Sequence, residues 1–390
     1  MAILKKKNLS IILFLIPLSY VIGIALTEFF VFIGIIFFVF LNKDKTLFKD
    51  PKIIFLFIFS FYIFLNAYFQ IFDDLRFSSF FHFRFVIFSL SIFFFCKNYE
   101  NFKDIKYFIL FISLLLILLF DTLFQFFNGS NILGFEISKG RTSSFFKDEL
   151  ILGSFLVRLL PIIFWFIFFL KVDLKKNYLY LISFFSLYII SIYLSGERTS
   201  FFLCIVFIIS IFSIIKNLRK ILFSSILVFL LFAFCISLFN IGNFDPSSRM
   251  FFKTFNQLTN QKFYSDNKID NKKDDINLEN ISKNLKLYSP DHEGHIKLAL
   301  ELFKNNKIFG VGPKGFRYYC RKVEYDAEIG ICSTHPHNIL IQIVAELGLI
   351  GLVFYIIGGV FVLLNFIRLL IIKNFSEECL SFYIITMGLV

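Results

Sequence analysis

Two histidines, His335 and His337, stand in the stretch THPHNILIQIVAELGLIG (334–351), where a long polar segment gives way to an apolar run. An imidazole titrates near neutrality, so it can take the proton of a hydroxyl as that hydroxyl attacks. Asn338, Gln342 and Glu346 follow at i, i+4 and i+8, which predicts one polar stripe on the helix that begins there. Glu346 would then lie about 12 Å along that helix, a costly depth for a carboxylate in a membrane span. The pattern points to a polar cleft that opens at a membrane surface beneath a histidine, a setting for proton transfer. His335 reads either as a residue that orients its neighbour or as a simple helix cap.

The elements that must position these groups are membrane helices. The 390 residues are 57% hydrophobic, with mean hydropathy +0.76, and apolar runs near span length recur along the chain. The 63 Phe carry no functional weight, since an AT-rich coding sequence accounts for them together with the many Ile and Lys. Spans are expected near 9–26, 28–42, 53–72, 79–96, 107–127, 150–170, 178–194, 200–215, 221–241, 339–364 and 379–390, with the first two open to a different division. The last is too short to cross a bilayer and is compatible with a truncated C-terminus. Lys5, Lys6 and Lys7 precede the first run as in a signal peptide, but no small-residue cleavage site follows, so an uncleaved helix is expected. The fold class is therefore an all-α integral membrane protein of about 10–12 helices with one large outer loop holding short amphipathic helices. Its parts are 1–139 (N-terminal spans), 140–241 (central spans), 242–338 (the large loop) and 339–390 (C-terminal spans).

Lysines and arginines alternate in density from loop to loop. Lys43, Lys45, Lys97, Lys103, Lys171, Lys175, Lys216 and Arg219 fall on one side, which the positive-inside rule makes cytoplasmic. The net charge of +12 is thus a topology signal and not a nucleic-acid footprint. The large loop then lies outside. Its middle, 261–286, is charged and Asn-rich and reads as mobile. Ser289-Pro290 marks a helix start. Ile296, Ala299, Leu300 and Phe303 recur at helical spacing, so that helix either lies on the membrane surface or forms a small core in the outer loop. Gly310, Gly312, Pro313 and Gly315 end it. These glycines lack the Lys-Ser/Thr of a phosphate loop and mark no nucleotide site. Cys320 and Cys332 both sit in the outer loop; on an oxidising side they would pair and staple the segment leading to His337, with two free thiols as the alternative.

Arg84, Asp121, Arg158 and Glu346 fall in the outer halves of their spans, and Arg141 and Arg198 at the outer rim. This one-sided placement favours an outward cleft over a channel, although pairs such as Asp121 with an arginine would also account for some of them. Arg198, in LSGERTSFF, suits a pyrophosphate because guanidinium stays charged and donates two parallel hydrogen bonds; a lone rim arginine would simply meet lipid headgroups. Cys332 could join His335 and His337 on a zinc ion, but no second half of such a site is present, and no metal site is expected.

The spacing His337-Asn338, nine residues, Gly348, two residues, Gly351 resembles the signature of the bacterial O-antigen ligase family, which includes related polymerases and protein O-oligosaccharyltransferases. GRTSSFFKDELILGSFL (140–156), LSGERTSFF and LALELFKNNKIFGVGPKGF (298–316) resemble further segments of that family in the same order. The resemblance covers about 140–370. It implies a C-type glycosyltransferase fold in the bacterial inner membrane with its active site facing the periplasm. It implies transfer of a glycan, with inversion, from undecaprenyl pyrophosphate to an acceptor hydroxyl on lipid A-core or on another glycan, with no metal, nucleotide sugar or other cofactor. It implies His337 as the catalytic residue and Arg198 with a second cation as the pyrophosphate ligands. For that second cation Arg249 is favoured, Arg317 is the nearest downstream arginine, and His292 is a substitute; His335, Arg141, Arg158 and Glu346 are supporting candidates. The partners implied are the carrier-linked donor, the acceptor and membrane lipids, without nucleic acid. A ligase and a repeat-unit polymerase share these features. A polysaccharide or lipid transporter is the reading from another class, and would call for paired repeats and broken helices near the midplane; a structural membrane subunit is a third.

Overall fold

The computed structural model describes residues 16–42, 48–69, 84–98, 105–169, 172–252, 290–322 and 333–372. In chain order its main helices are α1 (Ile24–Leu41), α2 (Pro51–Phe69), α3 (Arg84–Asn98), α4 (Ile105–Asn128), α5 (Leu152–Phe169), α6 (Tyr178–Leu194), α7 (Arg198–Ile214), α8 (Arg219–Phe239), α9 (Pro290–Asn305), α10 (Gly315–Arg321) and α11 (Ile339–Ile372). Five stretches are long and apolar enough to cross a membrane, in α1, α2, α4, α8 and α11, and the shorter apolar helices at α5, α6 and α7 join them among the described residues. The protein is thus a polytopic helical membrane protein. The first two predicted runs divide at Gly23, just before α1, and not near residue 27. The predicted mobile stretch 261–286, the run 379–390 and Cys332 lie outside the described residues.

The chain forms two compact units that are discontinuous in sequence. The first comprises Met1–Gly34, Phe95–Thr254 and Phe366–Val390. Its centre is α6, which packs against α4, α5, α7 and α8. An apolar helix with no polar face must be surrounded, and Ser186 and Tyr188–Leu194 are all buried. Polar atoms on α6 are spent inside the bundle: the Tyr188 hydroxyl donates to the Leu156 carbonyl at 2.6 Å, and the Ser191 hydroxyl to the Leu187 carbonyl at 2.9 Å. Asp121 is fully buried, and it is not paired with an arginine among the contacts of the described residues. Its carboxylate takes the Ile132 N–H at 2.9 Å, the Asn131 amide at 3.3 Å and the Ser144 hydroxyl. One turn on, Gln125 accepts the Ser143 and Ser144 N–H groups at 3.0 and 2.8 Å and donates to the Phe135 carbonyl at 3.0 Å. These two α4 side chains pin the loop 129–146.

The second unit comprises Ile35–Phe94 and Phe255–Asn365. Here α9 begins at Pro290, where Ser289-Pro290 predicts it. Leu298, Ala299 and Leu302 pack with Val311, Phe316, Cys320 and Ala345 into one buried cluster. So α9 contributes a core face to this unit. The buried stripe is His295, Leu298, Ala299 and Leu302, whereas Leu300 is 40% exposed; the predicted face is therefore rotated. The buried face thus includes an imidazole, His295, in a core position.

The predicted continuous helix at 339–364 is interrupted. Gly348 has φ 64° and ψ −161°, a conformation open essentially to glycine alone. In an unbroken helix Leu349 and Ile350 would donate to the carbonyls of Ala345 and Glu346. Instead those N–H groups donate to Lys307 and Ile308 carbonyls at 2.9 and 3.3 Å, and the two freed carbonyls accept from Val311 and Gly312 at 2.9 and 2.8 Å. Segment 307–312 thus takes the place of a helical turn. From α2, Tyr62 donates to the Leu347 carbonyl at 2.6 Å and Asn66 to the Phe309 carbonyl at 2.6 Å. A buried backbone break needs such partners. The glycine cluster 310–315, uncommitted in sequence, is what allows this close approach: a Cβ on Gly310 would lie 2.5 Å from the Glu346 carbonyl carbon.

Candidate functional site

In the first unit, the turn Ser195-Gly196-Glu197 between α6 and α7 gathers three arginines. Arg141, on the loop held by α4, donates through Nε to the Ser195 carbonyl at 2.9 Å and through Nη2 to the Leu150 carbonyl at 2.8 Å. It also pairs with Glu197 at 3.5 Å. Arg249 follows an Asp245 turn in which the carboxylate accepts the Ser247 and Ser248 N–H groups at 2.9 and 3.1 Å. That turn aims its Nε at the Gly196 carbonyl, 3.0 Å away. Gly196 has φ +67°, and a Cβ there would lie 2.7 Å from Arg141 Cγ and 3.1 Å from Arg249 Cδ, so only glycine fits among the guanidiniums. Arg198 opens α7 from the same turn. Burial lowers the Arg141 pKa, Glu197 opposes this, and Arg249 and Arg198 lower it further; burial and then Arg198 lower that of Arg249. Like charges held this close favour an anion among them. Arg158, by contrast, lies on an exposed face of α5.

Glu197 had no assigned role in the sequence, yet it organises the turn. Its carboxylate accepts the Gly153 and Ser154 N–H groups at 2.8 and 3.0 Å, capping α5, and the Ser200 hydroxyl at 2.9 Å. Its place beside Arg198 in a small-residue turn was the available signal. Glu197→Ala is expected to cost about 2 kcal/mol of unfolding stability through the lost cap and ion pair, read by denaturant titration in detergent. Glu197→Gln, which keeps an acceptor, should cost less than half of that.

In the second unit, three imidazoles cluster. The ring centroids of His335 and His337 are 4.3 Å apart, and those of His295 and His337 5.7 Å. His295 is 4% exposed. The side chain of His292, the alternative considered from sequence, lies outside the described residues. His337 is exposed, adopts φ +58°, and has its Nε2 3.1 Å from the Ser333 hydroxyl; His335 Nδ1 is 2.9 Å from the Thr334 hydroxyl. Cys320 is disulfide-bonded, while Cys204 and Cys235 are free. Among the described residues no group of three or more His, Cys, Asp or Glu is placed to hold a metal ion.

The predicted polar stripe divides into separate tasks. Asn338 caps α11, its side-chain oxygen accepting the Ile341 N–H at 3.1 Å. Gln342 donates to Glu346 at 3.2 Å, and Glu346, 7% exposed, accepts the Phe316 N–H at 3.4 Å. The carboxylate therefore closes the start of α10, where unsatisfied N–H groups attract an anion, and does not floor an open cleft. Burial, with Arg317 and Arg84 adding, lowers the pKa of the neighbouring Lys314, and Glu346 opposes.

The fold is that of a multi-spanning helical membrane protein, with an arginine cluster in one unit and an imidazole cluster in the other. Residues 181–356 match the family model described as O-antigen ligase. The match takes in the turn carrying Arg198, Arg249, all of α9 and α10, and α11 past Gly351. It is consistent, at the superfamily level, with a membrane-embedded protein of that family acting on lipid-linked glycans. No curated protein and no solved structure matches the chain.

Proposed function

We propose that the protein is an O-antigen ligase-like glycosyltransferase of the inner membrane. It moves a glycan from undecaprenyl pyrophosphate to a hydroxyl of lipid A-core at the periplasmic face, with inversion and without a metal. The observation that carries this reading is that one family match includes both the arginine turn and the His337–Gly351 segment. His337 takes the acceptor proton as the oxygen attacks the anomeric carbon. Arg198 and Arg249 bind the pyrophosphate, whose charge grows as the glycosidic bond breaks. Arg141, bonded to two carbonyls and Glu197, positions the turn.

A repeat-unit polymerase of the same family is the second reading, since the same residues serve a glycan acceptor. A transporter anticipates an interrupted helix, and α11 has one. Its freed backbone groups, however, are bonded to 307–312 and Tyr62, which leaves none of these turned toward an ion or solute.

The test is transfer by the purified protein, given carrier-linked glycan together with lipid A-core. Product on lipid A-core supports the ligase, lengthened carrier-linked glycan the polymerase, and neither product would overturn both. In the same assay Arg198→Ala is expected to lower kcat about 10²-fold, and Arg198→Lys to restore only part of it, because lysine cannot donate in a fork.

A further inference from the structure

The lysine-rich end of the first unit carries a feature that the glycan reaction does not use. A cavity of about 790 Å³ opens where the end of α5, the start of α6 and the start of α8 meet. Lys175, Lys216 and Lys220 line it, all three exposed, with Asp173 as its carboxylate. Asp173 is already engaged: it accepts the Lys175 and Lys176 N–H groups at 2.9 and 3.1 Å. Arg219 is turned away, donating to the Phe212 and Ser213 carbonyls at 2.8 Å each. Among the described residues, the side-chain cations that line the opening are therefore the three lysines. Its walls at Ile167 and Val172 are shared with a second cavity, of about 900 Å³, bounded almost entirely by apolar side chains of α4, α5 and α6. One basic chamber thus adjoins one apolar chamber. By the helical rise, this end of α6 is about 25 Å from the Arg198 turn.

We propose that these two chambers bind one anionic phospholipid, the headgroup phosphate among Lys175, Lys216 and Lys220 and an acyl chain in the apolar chamber. Charge complementarity selects the headgroup, since a basic pocket between spans attracts phosphate. The adjoining apolar volume selects a lipid over a free anion. The proposal is independent of the transferase reading, because none of these residues takes part in it.

Native mass spectrometry of the full chain, released from nanodiscs of phosphatidylcholine with or without phosphatidylglycerol, tests it. Phosphatidylglycerol should be retained in preference to phosphatidylcholine, and retention should fall about five-fold for each lysine removed in Lys175→Gln, Lys216→Gln and Lys220→Gln. The corresponding Lys→Arg variants should retain it. Inorganic phosphate and glycerophosphoglycerol, added to delipidated protein, should not raise the unfolding temperature as phosphatidylglycerol does. Equal retention of the two lipids, wild-type retention by the triple Gln variant, or equal stabilisation by inorganic phosphate would each overturn the site. Because the lysines are exposed, the variants should fold, which circular dichroism checks; the single substitutions give the same readout should the triple variant not fold.

Discussion

Gly348→Ala is expected to unseat α11 from segment 307–312 and lower unfolding stability by about 3 kcal/mol or more. Two effects add. The backbone at φ 64°, ψ −161° is strained for any residue with a Cβ, and that Cβ would lie 2.2 Å from the Ile308 carbonyl oxygen and 2.6 Å from the Gly310 nitrogen. Both contacts are with backbone, so no side-chain rotation relieves them. Restoring a regular helix would relieve the strain, but at the loss of the bonds joining 307–312 to α11. Gly359→Ala is the internal control: it lies in the same helix with nothing within 4 Å of a new Cβ, so its change should stay within about 0.5 kcal/mol. Thermal unfolding in detergent measures both. If Gly348→Ala melted with wild type, the interruption would have no structural weight. The close partner of Gly348 is the backbone of the turn at 307–310.

His337→Asn is expected to reduce glycan transfer about 10²–10⁴-fold, the usual contribution of a positioned general base. Asparagine is the informative replacement because it tolerates the left-handed backbone that His337 adopts at φ +58°. It therefore removes the imidazole without disturbing the start of α11. Donor binding, measured with carrier-linked glycan in the absence of acceptor, should survive, since the pyrophosphate is assigned to arginines of the other unit. His335→Asn should cost far less, since no proton-transfer step is assigned to it. Unchanged transfer by His337→Asn, or labelling that placed residue 337 on the lysine-rich side of the membrane, would remove its proposed role.

The start of α9 at Pro290, the apolar helices and the placing of an arginine in the α6–α7 turn were legible because each depends on local chemistry: a fixed proline φ, a run of apolar side chains, a glycine in a short turn. The identity of α9's buried face was not. The expected stripe of Ile296, Ala299, Leu300 and Phe303 is rotated from the buried Leu298 and Leu302, since periodicity cannot show that an imidazole such as His295 is packed in a core. Asp121 and Glu346 read as functional because a carboxylate in an apolar run is costly; the structure offsets that cost with the Ile132 N–H, the Asn131 amide and the Ser144 hydroxyl around Asp121, and with the Phe316 N–H and the Gln342 amide around Glu346.

What this sequence determined by itself is an all-helical protein of repeated apolar runs, five of which form helices long enough to cross a membrane among the described residues, together with residue types whose chemistry suits a proton or an anion. Those follow from composition and short-range spacing. Tertiary structure alone decided that Arg249 joins Arg141 and Arg198 around one turn, that Glu197 caps α5 there, and that α11 breaks at Gly348 to accept 307–312. Each of these depends on hydrogen bonds between groups far apart in the chain, such as Arg249 to Gly196 and Leu349 to Lys307, and no local pattern of residues encodes which distant carbonyl a donor will find.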